Sequence, residues 1–391
     1  MPTESKKKNN IAYLTYLRAA ACIAIVFLHG SLLVGQAFTL DPAQGRAALI
    51  VRNAMLWAVP CFAMVTGVLL LDPAREMSLK KIFGRYVLRI LQALFLFTLV
   101  YEICDEAIGG QLRSLPALLR SWLVRTVTGT SWSTLWYLYM VIAIYLLLPF
   151  YRMISAQAKK QDLRYLLLMY LIFQSLVPLL RTVTGSSIGF YICTYTIYPL
   201  YLFLGWQFGR KENVRMSPVL LLILTAALTI LLMVLTGIGW NRNQSVLLGL
   251  LSDYSFLPVI VQSQLVFLIF RRVFGKETGT GWSGEGTGTC QSRAGNRNGQ
   301  TAAEAGINRS EAAPRPKNEK AVFRILTGID RCSFGIYLIH VLYFHIIYFG
   351  MGVNPLKAGL PVLLLLDVLV FCLSYVTIRA LKKLPWLGRI L

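Results

Sequence analysis

Arg18 and His29 lie eleven residues apart inside one apolar run, NNIAYLTYLRAAACIAIVFLHGSLLVG (9–35). At about 100° per residue this is three helical turns plus roughly 20°, so on a helix both side chains share one face, about 16 Å apart along the axis. An ionisable group at membrane depth costs roughly 2.5–3.5 kcal/mol on insertion scales, so it faces a cavity or a partner. An imidazole, with an ordinary pKa near 6.5, takes a proton from a hydroxyl at neutral pH, and a guanidinium binds phosphate as a planar fork. Snorkelling of Arg18 and an interhelical hydrogen bond from His29 are the structural alternatives. One shared polar stripe asks for one common explanation.

Two further segments carry chemistry. In KKIFGRYVLRI (80–90), Arg85 and Arg89 are four apart and stack on one helix face. Beside Arg18 they would form a phosphate or pyrophosphate clamp; the alternative is plain positive-inside anchoring. In DRCSFGIYLIHVLYFH (330–345), the residues Asp330, Ser333, Tyr337 and His340 are spaced by three, four and three and so share a face. His340 is a candidate to line the same cavity as His29, the alternative being a packing hydrogen bond. His345 falls about 140° round from His340 and reads as structural. Glu102, Asp105 and Glu106 read as a solvated helix end, the alternative being a carboxylate that orients an imidazole or binds a sugar hydroxyl, and Asp367, inside LLLLDVLVF, is expected to have a partner that the sequence does not name.

The elements that position these residues are transmembrane helices. The chain has 391 residues, 56% hydrophobic and 14% charged, with the apolar residues gathered in blocks of about twenty. The blocks fall near 11–35, 47–71, 86–104, 132–151, 163–180, 188–209, 216–239, 244–270, 325–350 and 358–381. This predicts an all-α polytopic integral membrane protein of about ten spans. Lys6, Lys7 and Lys8 and the basic groups of alternate loops place both termini in the cytoplasm. The net charge of +22 is spread between the blocks rather than gathered in a stripe, which marks topology and excludes a nucleic-acid binder. Seven Cys show no metal-ligand or disulfide spacing, so no metal is expected. Walker, Rossmann, G-x-S-x-G and H-E-x-x-H motifs are missing, which leaves any chemistry to the membrane domain.

Four segments follow: a basic N-terminus (1–10), a membrane domain over 11–274, a polar insertion over 275–320 too poor in large apolar residues to bury a core, and a continuation of the membrane domain over 321–391. LRSLPALLRSWLVRT (112–126) places Leu112, Leu115, Leu119, Trp122 and Leu123 on one face and suits a helix lying in the outer interface, the alternative being an ordinary short connecting helix.

Arg18-x10-His29, Arg85-x3-Arg89 in IFGRYVLRIL, TLWYLYMVIAIYLLLPF (134–150), YPLYLFLGWQFGR (198–210) and SFGIYLIH (333–340) together resemble the bacterial membrane acyltransferase type 3 family, in its stand-alone form. The resemblance implies transfer of an acyl group, most often acetyl from acetyl-CoA, to a hydroxyl of an envelope glycan or lipid-linked saccharide. It implies a multi-pass protein of the bacterial inner membrane that takes acyl-CoA as a substrate and keeps no permanently bound cofactor. It carries a catalytic role to His29, as base or covalent nucleophile, and donor binding to Arg18, Arg85 and Arg89. Ser333, Tyr337 or His340 would then support the developing oxyanion. Two departures stand out: Thr134 occupies a position where many relatives have histidine, and Tyr86 follows Arg85 where a second arginine is common. The competing class is a transporter or lipid flippase with Arg18, His29 and Asp367 along its path, but neither an internal repeat nor paired broken spans are visible.

Overall fold

The computed structural model describes residues 12–110, 113–185, 196–210, 216–275 and 317–391, the side chains of 317–321 excepted. Every regular element among them is a helix, as expected where the surroundings offer the backbone no hydrogen-bond partner. Nine are long and apolar enough to cross a membrane: Ala12–Ala37, Pro42–Leu70, Leu79–Gly109, Ser133–Gln157, Lys160–Thr184, Pro218–Asn241, Leu257–Phe274, Val322–Gly350 and Leu360–Leu381. The block expected at 188–209 is described only in part, with 13 helical residues over Tyr198–Arg210. The basic N-terminus and nearly all of the polar 275–320 segment lie outside the described residues.

Local chemistry sets the helix ends. Asp41 caps the second span by accepting from the backbone of Ala43 and Gln44 at 2.9 Å, with Pro42 at the first helical position. Gly110, Gly129 and Gly185 close three helices in the left-handed conformation, with φ of 67°, 71° and 66°.

The first span is the hub. Buried residues make up 72% of its apolar stretch, against 17% for Pro218–Asn241, where Leu222, Ile223, Ile230 and Leu231 face outward. It packs against the second span and against Leu257–Phe274, Val322–Gly350 and Leu360–Leu381. Its contacts with Val322–Gly350 run in constant register: Arg18 with Asp330, Cys22 with the Ser333 carbonyl and His29 with His340, offset by 312, 311 and 311 residues. Both numbers rise together, so the two helices are parallel.

Parallel spans of one chain are separated by an odd number of crossings. Six of the candidate spans lie between these two, so a further segment must cross, and Tyr198–Arg210 is the one available. It packs so closely on the second span that a Cβ on Gly67 would overlap the Leu202 carbonyl, and one on Gly205 the Met64 carbonyl. Small residues at a helix crossing are the usual device for close packing in a bilayer.

In the 112–126 segment Leu112 lies outside the described residues, and Trp122 is the residue that leaves the expected apolar face. Leu115–Thr128 docks on the Leu79–Gly109 span through Ser121 and Arg125 to Glu102 at 2.7 Å each. The Trp122 indole N–H reaches Thr98 at 3.0 Å, so this residue faces protein while Leu115 and Leu123 stay exposed. An indole N–H needs an acceptor that the leucines do not.

Candidate functional site

His29 and His340 are both buried, at 6% and 0% exposure. His29 Nδ1 lies 2.7 Å from His340 Nε2, with the rings nearly parallel at 21°. His340 Nδ1 lies 2.8 Å from the Ile336 carbonyl oxygen. A carbonyl can only accept, which assigns the proton on His340 to Nδ1. In the neutral pair His340 Nε2 is then the acceptor, His29 Nδ1 the donor, and His29 Nε2 carries a lone pair. The helix register delivers this chain of assignments. On Val322–Gly350 the ring of His340 folds back onto its own preceding turn, and the parallel first span brings His29 to its open nitrogen.

Arg18 sits on the same seam. Its Nε and Nη2 approach the two carboxylate oxygens of Asp330 at 2.6 Å each, with the Arg18 side chain 32% exposed and that of Asp330 6%. The Asp330 stripe therefore faces the first span, and the anchoring acid of Arg18 was present in the sequence without its pairing being legible. The fork is committed to this carboxylate, and Nη1 is its remaining corner.

Of the other residues on the stripe, Ser333 donates to the Asp330 carbonyl at 2.8 Å, inside its own helix. The Tyr337 hydroxyl donates to the Thr134 carbonyl at 2.6 Å, tying Val322–Gly350 to the Ser133–Gln157 span. His340 is thus the one of these three that touches His29. Thr134 keeps a buried hydroxyl with no hydrogen-bond partner among the described residues.

Arg85 and Arg89 line a cavity of about 430 Å³ with Arg75, Lys81, Tyr86 and Arg389. Five cations and no acid make this wall. Ile82–Val87 is a π-helical turn; Arg85 and Arg89 both face the cavity, and Arg89 also donates to the carbonyls of Ile390 and Leu391 at 2.8 Å each. Its guanidinium lies 5.2 Å from the centre of the Phe334 ring, four residues from the partner of Arg18. Crowding of positive charge shows next to the cavity, where Lys382, just past the last span, is held below the usual ammonium range by burial, with Arg89 and Arg331 pushing the same way. Arg75, Lys81 and Arg389 were not singled out from the sequence, because a cluster of cations at a helix end looks there like topology signal alone.

The remaining polar residues divide in two. At the opposite end of the same helices, His345 Nε2 lies 2.9 Å from Asp105 and its ring is stacked between Trp132 and Phe349. Glu102 and Glu106 are buried under Arg113 and Arg125 rather than solvated. Asp367 is fully buried and its carboxylate has no hydrogen-bond partner among the described residues; it presses on Gly30, beside His29. No group of three or more metal-ligating residues occurs among the described residues.

Fold and site together define a multi-pass membrane protein with a buried imidazole pair on the seam between two parallel spans and a cationic cavity at one end of that seam. Residues 11–379 match the Acyl_transf_3 family model, whose description is an acyltransferase domain. The chain belongs to this family, and it is a membrane acyltransferase. Neither the curated proteins nor the solved structures compared with it give a match.

Proposed function

We propose that the protein transfers an acyl group, acetyl in the first instance, from acyl-CoA to a hydroxyl of an envelope saccharide, at the inner membrane of a bacterium, with His29 as the general base. The observation that carries this is the hydrogen-bond chain Ile336 carbonyl–His340–His29, which leaves a lone pair on His29 Nε2. The cationic cavity takes the phosphates of the donor from the cytoplasmic side. The thioester arm then follows the seam past Arg18, which lies about 16 Å from His29 along an ideal helix, a length that a pantetheine arm reaches.

His29 Nε2 accepts the hydroxyl proton as the oxygen attacks the thioester carbonyl. The carbon–sulfur bond breaks, and the imidazolium returns that proton to the departing CoA thiolate. Formation of the imidazolium leaves the Nδ1–H bond to His340 in place and strengthens it, since a charged donor bonds more strongly than a neutral one. His340 thus orients His29 as an acceptor without a charge of its own.

The test uses purified protein in detergent with acetyl-CoA labelled in the acetyl group and a crude envelope saccharide fraction. Label should move to saccharide with the wild type and not with His29→Ala of equal monodispersity. Undiminished transfer by His29→Ala would sink the assignment of the base, and label that leaves CoA only for lipid would replace the acceptor class.

A further inference from the structure

Arg52 lies within the second span, ten residues after Pro42, while His29 lies eight residues before Ala37. At 1.5 Å per residue these are depths of about 15 and 12 Å from the shared end, so the two residues lie at similar height. Four residues beyond Arg52, Leu56 is buried together with Leu28 and Val259, with Tyr254 packed alongside. Leu28 directly precedes His29, so this part of the second span packs against the His29 turn of the first. Ser252, which Arg52 bonds, is two residues from Tyr254.

Among the described residues Arg52 lacks the counter-charge that three other part-buried arginines have. Arg18 has Asp330, Arg113 has Glu102 and Glu106, and Arg125 has Glu102. Arg52 has one hydrogen bond, Nη1 to Ser252 Oγ at 3.3 Å. No carboxylate pairs with it among the described residues, and the neighbouring Asp253 is turned to the Ser255 backbone at 2.7 Å.

That single bond begins a directed chain. Ser252 Oγ donates to Asn53 Oδ1 at 3.1 Å, Asn53 Nδ2 donates to Thr236 Oγ1 at 3.1 Å, and Thr236 donates to the Leu232 carbonyl at 2.8 Å. Each hydroxyl proton is spent outward, so Ser252 can only accept from Arg52. Asn53 and Thr236 are buried at 1% and 0% exposure, which makes the backing rigid. One corner of the guanidinium is held and its other N–H groups are left on a half-buried surface. Tyr254, two residues after Ser252, clusters with Trp136 and Tyr198, the three ring centroids lying 5.6 to 6.2 Å apart.

A half-buried cation without a counter-ion is costly unless a ligand supplies the anion, and aromatic walls with a few aimed polar groups are the usual make-up of a small-molecule site. We propose that Arg52, held by the Ser252–Asn53–Thr236 chain beside the Trp136–Tyr198–Tyr254 wall, binds an anionic substituent, phosphate or carboxylate, of the saccharide that accepts the acyl group. The site lies toward the opposite end of the spans from the donor cavity, so both substrates can be bound at once. The word acceptor rests on the acyl-transfer function proposed above; the anion site stands on its own.

The test is binding to detergent-purified full-length protein, with the donor cavity saturated by CoA so that it cannot take the probes. Glucose 1-phosphate, glucuronic acid and glucose are titrated calorimetrically against wild type and Arg52→Gln, with Arg52→Met standing in if the Gln variant is not monodisperse. The expected result is binding of one or both charged probes in preference to glucose, weakened about thirtyfold or more in the variant; which charged probe binds separates phosphate from carboxylate. Equal binding of all three probes by wild type, or unchanged binding by the variant, overturns the proposal. Acetyl-CoA cleavage is followed on the same preparations. Cleavage without charge preference sinks the anion site alone, whereas charge-selective binding without cleavage upholds the site and sinks the acyl-transfer reading.

Discussion

His340→Ala removes the acceptor that His29 Nδ1 donates to at 2.7 Å, while His340→Gln can return a carbonyl oxygen near the same place. In the Ala variant the His29 N–H is left buried and unsatisfied, at a cost of about 1–3 kcal/mol. The ring can escape that cost by rotating or by moving its proton to Nε2, and either change takes the lone pair away from the reacting hydroxyl. The lost orientation corresponds to about a 5- to 150-fold fall in kcat, bounded above by the roughly 10²–10⁴-fold that general base catalysis contributes. On the function proposed above the donor phosphates bind at the far end of the seam, so KM for acyl-CoA should stay within about twofold. The Gln variant should recover most of kcat. Transfer of labelled acetyl is the suitable readout, because exposed Cys372 would react in a free-thiol assay. A His340→Ala protein that is monodisperse and retains wild-type kcat would refute the orienting role, and one whose KM rises with kcat intact would place His340 in ground-state binding instead.

Two other perturbations test separate parts of the molecule. Arg85→Ala and Arg389→Ala should each raise KM for acyl-CoA by about 3- to 10-fold with kcat unchanged, since both cations line the cavity from exposed positions where screening limits each contact; the loss should shrink in 1 M salt, and a kcat effect without a KM effect would dissociate the cavity from the donor. Gly205→Ala must push Tyr198–Arg210 off the Met64 carbonyl and should cost about 1–3 kcal/mol, seen as a lowered midpoint of thermal aggregation in detergent, whereas Gly249→Ala, with open space around it, should not; equal midpoints would argue against the close crossing.

Much of the site could be read along the chain because helical geometry is periodic. The shared face of Arg18 and His29 follows from eleven residues of α-helix, and the Asp330, Ser333, Tyr337 and His340 stripe from steps of three and four. The same arithmetic puts Arg85 and Arg89 on one cavity, but it could not show the π turn at Ile82–Val87 or that the residues bonding Arg89 lie some 300 positions away. Trp122 was grouped with leucines by its spacing, but its N–H required Thr98. Arg52 could not be told from a topogenic arginine at all, since what distinguishes it is the missing carboxylate, and a missing partner has no signature in a linear chain.

The sequence by itself determined that this chain crosses a membrane many times and which helix faces are polar, because hydropathy and helical period are local properties that a bilayer enforces residue by residue. Only the tertiary structure decided that the first span and Val322–Gly350 lie parallel, so that the Arg18–His29 face meets the Asp330–His340 face rung by rung. Hydropathy is equally satisfied by any pairing of spans. The choice falls to side-chain contacts between residues more than 300 positions apart, and those contacts fix which nitrogen of His29 is left open.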